Sequence, residues 1–137
     1  MEFLNKKDKK IYKKILANSI SRKKFFKTRK LIINYVKTNV NVYKVKTMKD
    51  LLEHCGLSNE YSSSECFVIL AKKFLNTNNF KLSYIGIFCT LQWKVKLIKI
   101  INPNDVISHS KEFEYVFLMA PNLANYFQIK INDFIRT

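Results

Sequence analysis

The chain has 137 residues and a formal net charge of +15, and this length fits one domain with or without an appended arm. Hydrophobic residues make up 47% and aromatic residues 14%, fractions that exclude a disordered protein. Glycine and proline occur twice each, which excludes collagen-like and low-complexity classes and a glycine-rich phosphate-binding loop.

Two basic amphipathic helices are predicted at the N-terminus. Over residues 5–20, apolar side chains recur at three- and four-residue spacing and form one stripe among lysines. Ser19 or Ser21 then caps a second helix over residues 22–37, whose first half is also rich in cations. Like charges three and four positions apart repel each other, so this crowding is unfavourable unless an anionic partner relieves it.

The positive charge is concentrated in the first third of the chain. Residues 1–49 hold 16 Lys and Arg against 2 Asp and Glu, a net charge of +14, whereas residues 50–137 hold 9 against 8, a net charge of +1. An AT-rich genome explains abundant lysine along the whole chain, but it does not explain this asymmetry. We therefore expect the first third to contact a polyanion, with a solvated tail or an arm for an acidic protein as alternatives.

Nucleic acid is the expected polyanion, because cations that face its phosphates gain free energy by releasing counterions. Arg22 and Arg29 are the candidates for forked contacts to a phosphate or a guanine edge. The residues expected to neutralise phosphates are Lys6, Lys7, Lys9, Lys10, Lys13, Lys14, Arg22, Lys23, Lys24, Lys27, Arg29 and Lys30. Aromatic residues among these charges are candidates for stacking on unpaired bases, or alternatively for core packing: Tyr12, Phe25, Phe26 and Tyr35.

Short helices are predicted in the middle of the chain. Residues 38–46 alternate apolar and polar side chains and are expected to form a short strand or an extended linker. Thr47 then caps a short helix that ends at Gly56, and a further helix is expected over residues 65–76. The segment 47–74 is loosely similar to a helix-turn-helix motif, but its turn of about eight residues exceeds the usual length. A scaffold role is therefore favoured over sequence-specific contact with DNA.

Strands are predicted in the C-terminal half. Residues 80–91, 92–101 and 111–119 alternate with a period of two, residues 102–105 predict a turn, Pro121 opens a helical turn, and residues 127–131 predict an edge strand. The predicted class is α+β, with N-terminal basic helices, central short helices, a C-terminal mostly antiparallel sheet and, as one option, a winged-helix-like core. The expected division is a basic helical arm or subdomain over 1–46 and a compact α+β body over 47–137.

Cysteine usage and hydropathy indicate the compartment. The three cysteines form no CxxC pair and, with the two histidines, lack the closely spaced pairs typical of zinc sites. We therefore expect buried free thiols, no metal and no cofactor, in a reduced cytoplasmic or nuclear setting. Neither a secretory signal peptide nor a membrane-spanning segment is predicted, because lysines and polar residues interrupt the apolar stretches.

The sequence contains no enzyme motif, and the charge pattern determines the functional prediction. We expect a non-enzymatic nucleic-acid-binding accessory protein of a replication or transcription machine, and a larger protein or ribonucleoprotein complex as a further partner. Two alternatives stay open. One is a lineage-specific ribosomal or other ribonucleoprotein subunit, and the other is a viral-type module that binds an acidic protein or an anionic membrane. The pattern does not distinguish DNA from RNA.

Overall fold

The computed structural model describes residues 29–53, 58–70, 75–107 and 112–137. The predicted helix over 5–20 lies outside these residues, as do residues 22–28 of the second predicted helix. The predicted division at residue 46 stays a prediction, although the strands on both sides of it join one sheet.

Residues 29–45 form a β-hairpin, so the second half of the helix predicted over 22–37 is wrong, whereas the strand option for residues 38–46 is confirmed. Strand β1 (Arg29–Ile33) pairs with β2 (Val36–Val45) in antiparallel register. Asn34 and Tyr35, in the turn between them, both have positive φ angles, 47° and 70°, as in a type I′ hairpin turn. The apolar residues of this segment are mainly β-branched, and such side chains pack well on a pleated sheet and lose rotamer freedom in a helix.

The helix predicted over 65–76 is also wrong in its described parts, 65–70 and 75–76. Residues Glu65–Leu70 form strand β3, and β4 (Leu75–Asn76) is a two-residue strand that pairs with β7 (Val106–Ile107). The run from Cys66 to Ile69 is buried without interruption. A continuous apolar run has no period of two, so it does not distinguish a fully buried strand from a helix.

Several other predicted elements are present. Thr47 caps helix α1 (Met48–Leu51), because its Oγ1 accepts the backbone N–H of Asp50 at 3.1 Å. Gly56, the predicted end of this helix, lies outside the described residues. The predicted strands correspond to β5 (Tyr84–Cys89), β6 (Val95–Ile101) and β8 (Tyr115–Met119), and Pro121 opens helix α2 (Pro121–Phe127). The edge strand predicted over 127–131 is wrong, because Phe127 ends α2 and the last strand is β9 (Ile135–Arg136).

Seven strands form one mixed sheet in the order β6-β5-β8-β3-β2-β1-β9, and its two ends meet. β9 pairs with β1, and the residue before β9, Phe134, bridges to Lys94 at the start of β6. Across this seam Val95 N–H donates to Asp133 O at 2.8 Å, and Ile135 N–H donates to Trp93 O at 3.0 Å. The sheet is therefore a small barrel.

This barrel corrects the predicted fold class. The described residues form a mixed sheet with two short helices, so the helix-rich α+β fold and the winged-helix-like core are both wrong for this part of the chain. The β2–β3 pair is parallel, whereas the other neighbouring strands are antiparallel. A parallel pair needs a long crossover, and residues 46–64 with α1 provide it.

Two apolar clusters pack on the two faces of the sheet. Inside the barrel, Leu31, Val68, Ile87 and Phe117 are at most 5% exposed, and Leu123 of α2 joins them at the end where β8 finishes. The second cluster lies on the outer face of β3, β5, β6 and β8, and its buried members include Phe67, Ile69, Phe80, Phe88, Leu118 and, from α1, Leu51. β3 and β8 are thus buried on both faces, which explains their continuous apolar sequences.

A buried threonine joins the segment that follows β4 to the turn over residues 102–105. Thr77 is fully buried, and its Oγ1 donates to Asn102 O at 2.7 Å and accepts the N–H of Asp105 at 2.8 Å. Asp105 Oδ2 in turn accepts the N–H of Asn102 at 2.8 Å, and Asn104 has a φ of 66°. The predicted turn over 102–105 is therefore confirmed and is anchored to the segment that follows β4.

The close packing at Gly86 gives a first prediction. A Cβ at this position would overlap Ile101 Cδ1 and would lie 3.0 Å from Ile101 Cγ1 and 3.1 Å from Phe88 Cε2. We expect Gly86→Ala to lower the free energy of unfolding by about 1–3 kcal/mol because of overpacking. Urea denaturation measures this loss.

Ile101→Val provides the matched control, since it removes the Cδ1 atom that the new methyl group would meet. In the Ile101→Val background, the same Gly86→Ala change should be less destabilising than in the native chain. Simple additivity of the two substitutions would contradict this packing account.

Candidate functional site

The barrel end opposite α2 contains a cavity of about 320 Å³, called here the mouth. The cavity lies where β1 begins, where β2 and β3 end, and where β8 begins. Its lining residues are Arg29, Val42, Tyr43, Lys44, Val68, Ile69, Leu70, Trp93, Tyr115 and Thr137. The mouth therefore combines apolar residues at the end of the barrel interior with aromatic rings and exposed cations.

Trp93 and Tyr115 form the aromatic wall of the mouth. Their ring centroids are 3.7 Å apart and their planes differ by 5°, so the two rings are stacked. Trp93 lies in the turn between β5 and β6 and has a φ of 66°. Its backbone N–H donates to the backbone oxygen of Thr90 at 2.9 Å. This left-handed conformation is unfavourable by about 1–2 kcal/mol for a residue with a Cβ.

A second cavity, also of about 320 Å³, lies beside the mouth and is called here the side cleft. It is lined by Ile32, Tyr35, Gln92, Trp93, Phe134 and Arg136. Trp93 lines both cavities, so the mouth and the side cleft adjoin at this residue. Tyr35 is 76% exposed, and its ring centroid lies 5.8 Å from that of Phe134.

The sheet closure fixes the side cleft. Asn34 N–H donates to Phe134 O at 2.8 Å, and Phe134 N–H donates to Asn34 Oδ1 at 2.9 Å. These two hydrogen bonds join the β1–β2 turn to the C-terminal segment. The same segment is bonded to Trp93 and Val95, so the turns that carry Tyr35 and Trp93 are held on either side of it.

The described residues include two of the twelve predicted phosphate-binding residues. Arg29 is exposed and lines the mouth, whereas Lys30 Nζ donates to Asn39 O at 3.4 Å on the surface of the hairpin. The other ten lie outside the described residues: Lys6, Lys7, Lys9, Lys10, Lys13, Lys14, Arg22, Lys23, Lys24 and Lys27. Of the stacking candidates, Tyr35 lines the side cleft, and Tyr12, Phe25 and Phe26 are also outside.

Sequence reasoning missed most of the residues that line the two cavities. The alternation over residues 38–46 and 92–101 includes Lys44 and Trp93 in predicted strands and indicates no binding role for either. No sequence pattern indicates a binding role for Arg136. The only sequence signal for this group is the placement of a tryptophan at the turn between two strands, because the remaining proximity depends on barrel closure.

Tyr43 also lines the mouth, and its hydroxyl group is already engaged. It donates to Glu65 Oε1 at 3.2 Å, and its ring stacks on Phe67 with centroids 6.0 Å apart. Burial, together with the charge of Glu65, raises the pKa of Tyr43 to about 12. The phenol is therefore neutral near physiological pH and serves as a fixed wall of the cavity.

The two described thiols are buried free cysteines, Cys66 on β3 and Cys89 on β5, as the sequence predicts. Burial raises the pKa of each to about 12 from an ordinary value of 9.0. Such thiols are poor nucleophiles, because the thiolate is the reactive form. Within the described stretches, no three His, Cys, Asp or Glu side chains come together as a metal-binding group.

Comparisons with known proteins identify the fold. No protein-family model matches the chain, and no curated protein matches it. A solved structure of a protein of unknown function from Novosphingobium aromaticivorans DSM 12444 is similar, with a TM-score of 0.64 and 13% sequence identity over 80% of this chain and 85% of the other. A candidate transcription regulator from Sinorhizobium meliloti 1021 is also similar, with a TM-score of 0.61 and 12% identity over 78% of this chain and 89% of the other.

At these identities the two likenesses show a shared fold only. The fold class is therefore a mixed sheet found in proteins from two bacteria, and one of those proteins is described as a candidate regulator of transcription. Among the residues described here, no helix has the length and apolar character needed to cross a membrane.

The buried thiols predict how stability depends on pH. A thiol with a pKa of about 12 when folded and an ordinary value of 9.0 when unfolded keeps its proton more firmly in the native state. Its stabilising contribution is complete below pH 9 and is lost as the pH rises towards 12. We expect the free energy of unfolding, measured by urea titration at a series of pH values, to fall over this interval.

Cys66→Ala tests the origin of that fall, because the variant lacks one of the titrating groups. Its free energy of unfolding should be lower at neutral pH, but it should decrease less steeply above pH 9 than that of the native chain. Equal slopes for the two chains would contradict a contribution from Cys66.

Proposed function

We propose that this protein is a non-enzymatic nucleic-acid-binding accessory protein that contacts phosphates through its basic N-terminal residues and the barrel mouth. The observation that carries this proposal is the convergence of exposed cations and stacked aromatic rings at one end of the barrel. Arg29 and Lys44 line the same cavity as the Trp93–Tyr115 pair. Cations and aromatic rings together suit a ligand that has both phosphates and bases.

The most basic part of the sequence precedes Arg29, which lines the mouth. The ten cations of residues 1–28 and two acidic residues give that segment a net charge of +8, and it joins the barrel at Arg29 in the mouth. A polyanion held at the mouth therefore lies next to the point where the most basic part of the chain is attached. This proximity supports a shared binding role for both.

The comparison with known structures is compatible with this proposal. One of the two similar structures is a candidate transcription regulator, and the other has no known function. An accessory role in transcription or replication is thus the version of the proposal that we adopt. The alternatives, a ribonucleoprotein subunit and a module for acidic proteins or membranes, would use the same cations.

Salt dependence tests the proposal directly. We expect the full chain to bind DNA or RNA with an affinity that falls linearly with salt concentration on logarithmic axes, because each neutralised phosphate releases counterions. Filter binding at increasing salt concentrations measures this slope. Absence of binding, or binding that is insensitive to salt, would contradict the proposal.

Two exposed lysines give a matched pair of variants for locating the contact. Lys44→Gln removes a charge from the mouth, whereas Lys99→Gln removes one from β6, where the side chain is exposed and lines neither cavity. Lys44→Gln should reduce the salt slope by about 0.7–0.9, the value expected for one phosphate contact. Lys99→Gln should leave the slope unchanged, and equal effects would show that only net charge matters.

A further inference from the structure

We propose that the side cleft is a stacking site for an unpaired base, so that the preferred ligand is single-stranded nucleic acid. This inference rests on the proposed function and specifies its ligand. Its starting point is the pair of aromatic residues that two separate hairpin turns bring to one cleft, Tyr35 from the β1–β2 turn and Trp93 from the β5–β6 turn.

Tyr35 and Trp93 both have positive φ angles, a backbone conformation that is unfavourable for bulky residues. The described non-glycine residues with positive φ are three asparagines, Asn34, Asn104 and Asn132, together with Gln128 at the C-cap of α2, and Tyr35 and Trp93. Asparagine tolerates this region, and glycine or asparagine is usual at such turn positions. The two bulky aromatic residues in this conformation both line the side cleft, although a glycine at either position would relieve the backbone strain.

The two rings are also held in place. Trp93 is half-buried and stacks on Tyr115, so one of its faces is fixed against the barrel. Tyr35 leans on Phe134, which the closing seam holds through hydrogen bonds to Asn34. The cleft therefore presents aromatic surface whose position is set before any ligand arrives, which reduces the entropy lost on binding.

The polar residues of the cleft indicate a nucleotide as the occupant. Arg136 is exposed at the cleft and its guanidinium group can form a forked contact with a phosphate. Gln92 is exposed beside Trp93, and its amide can both donate to and accept from the edge of a base. The charge of Arg136 disfavours a cationic ligand and favours an anionic one. The aromatic rings suit a flat ring, so the two together suit a flat ring linked to an anion.

A single strand fits this arrangement and a duplex does not. In a duplex the faces of the bases are covered by their neighbours, so an aromatic side chain stacks only on an unpaired base. Because the side cleft and the mouth adjoin at Trp93, a strand with a base in the side cleft can continue past Arg136 towards Arg29 and Lys44. Phosphate contacts at the mouth and stacking in the side cleft then act on the same ligand.

Trp93 is the single tryptophan of the chain, so intrinsic fluorescence reports on the place where the side cleft and the mouth adjoin. We would titrate the full chain with an oligodeoxythymidylate of about 15 nucleotides, near the upper limit of single-strand sites on small barrels, and with a duplex of equal length. The expected result is quenching of Trp93 by the single strand and little or no quenching by the duplex. Equal quenching by polyglutamate would overturn the inference, because the cleft would then respond to charge alone.

Tyr35→Gly is the informative variant, since glycine suits the turn and the chain should fold with undiminished stability. We expect it to weaken single-strand binding about tenfold or more while leaving duplex binding unchanged. Tyr126→Ala is the control, because Tyr126 is an exposed tyrosine of α2 that lines a separate cavity beside β2 and lines neither the mouth nor the side cleft. The single-strand affinity of this variant should stay within about twofold of the native value.

The possible failures are distinguishable. If the single strand binds with a steep salt dependence but Trp93 is not quenched and the two tyrosine variants behave alike, the stacking inference is overturned and the proposed function stands. If neither single-stranded nor duplex nucleic acid binds, the proposed function fails and the stacking inference fails with it.

Discussion

The closure of the sheet by the C-terminal segment is the constraint on which this structure depends. Strand directions must return to themselves around a closed ring, so the number of antiparallel neighbour pairs must be even. Seven strands have seven neighbour pairs, and the parallel β2–β3 pair leaves six antiparallel ones. The crossover between β2 and β3 therefore makes closure possible, and the short strand β9 completes it.

Closure determines both the core and the candidate site. It encloses the interior cluster around Phe117, which would otherwise present an open apolar face to water. It also places Phe134 between the turn that carries Tyr35 and the turn that carries Trp93. The side cleft is thus a direct product of the seam, and the adjoining mouth is the end of the same barrel.

The sequence predicted the elements whose signals are local. Alternating strands, the Thr47 cap, the turn over 102–105 and the helix opened by Pro121 all depend on residues within a few positions of one another. The described parts of two predicted helices are strands, because their local signals fit a strand as well as a helix. In β3 the apolar run is buried on both faces, and in residues 29–37 a helical spacing of apolar residues coincides with β-branched side chains that pack in a sheet.

The candidate site was less predictable than the fold, for the same physical reason. The charge asymmetry identified the chemistry of the expected partner, and it led to Arg29 at the mouth and to Tyr35 as a stacking candidate. It did not lead to Trp93, Phe134 or Arg136, which approach Tyr35 only through long-range strand pairing. No pattern of local spacing contains that information.

We therefore conclude that the seam between β9 and β6 is a stable part of the native barrel. Amide hydrogen exchange, followed by NMR, tests it most directly at Val95 and Ile135, whose N–H groups donate across the seam to Asp133 and Trp93. We predict that both amides exchange as slowly as the protected amides of β8, through global unfolding alone. Exchange at the rate of unprotected amides would show an open sheet and would contradict the account.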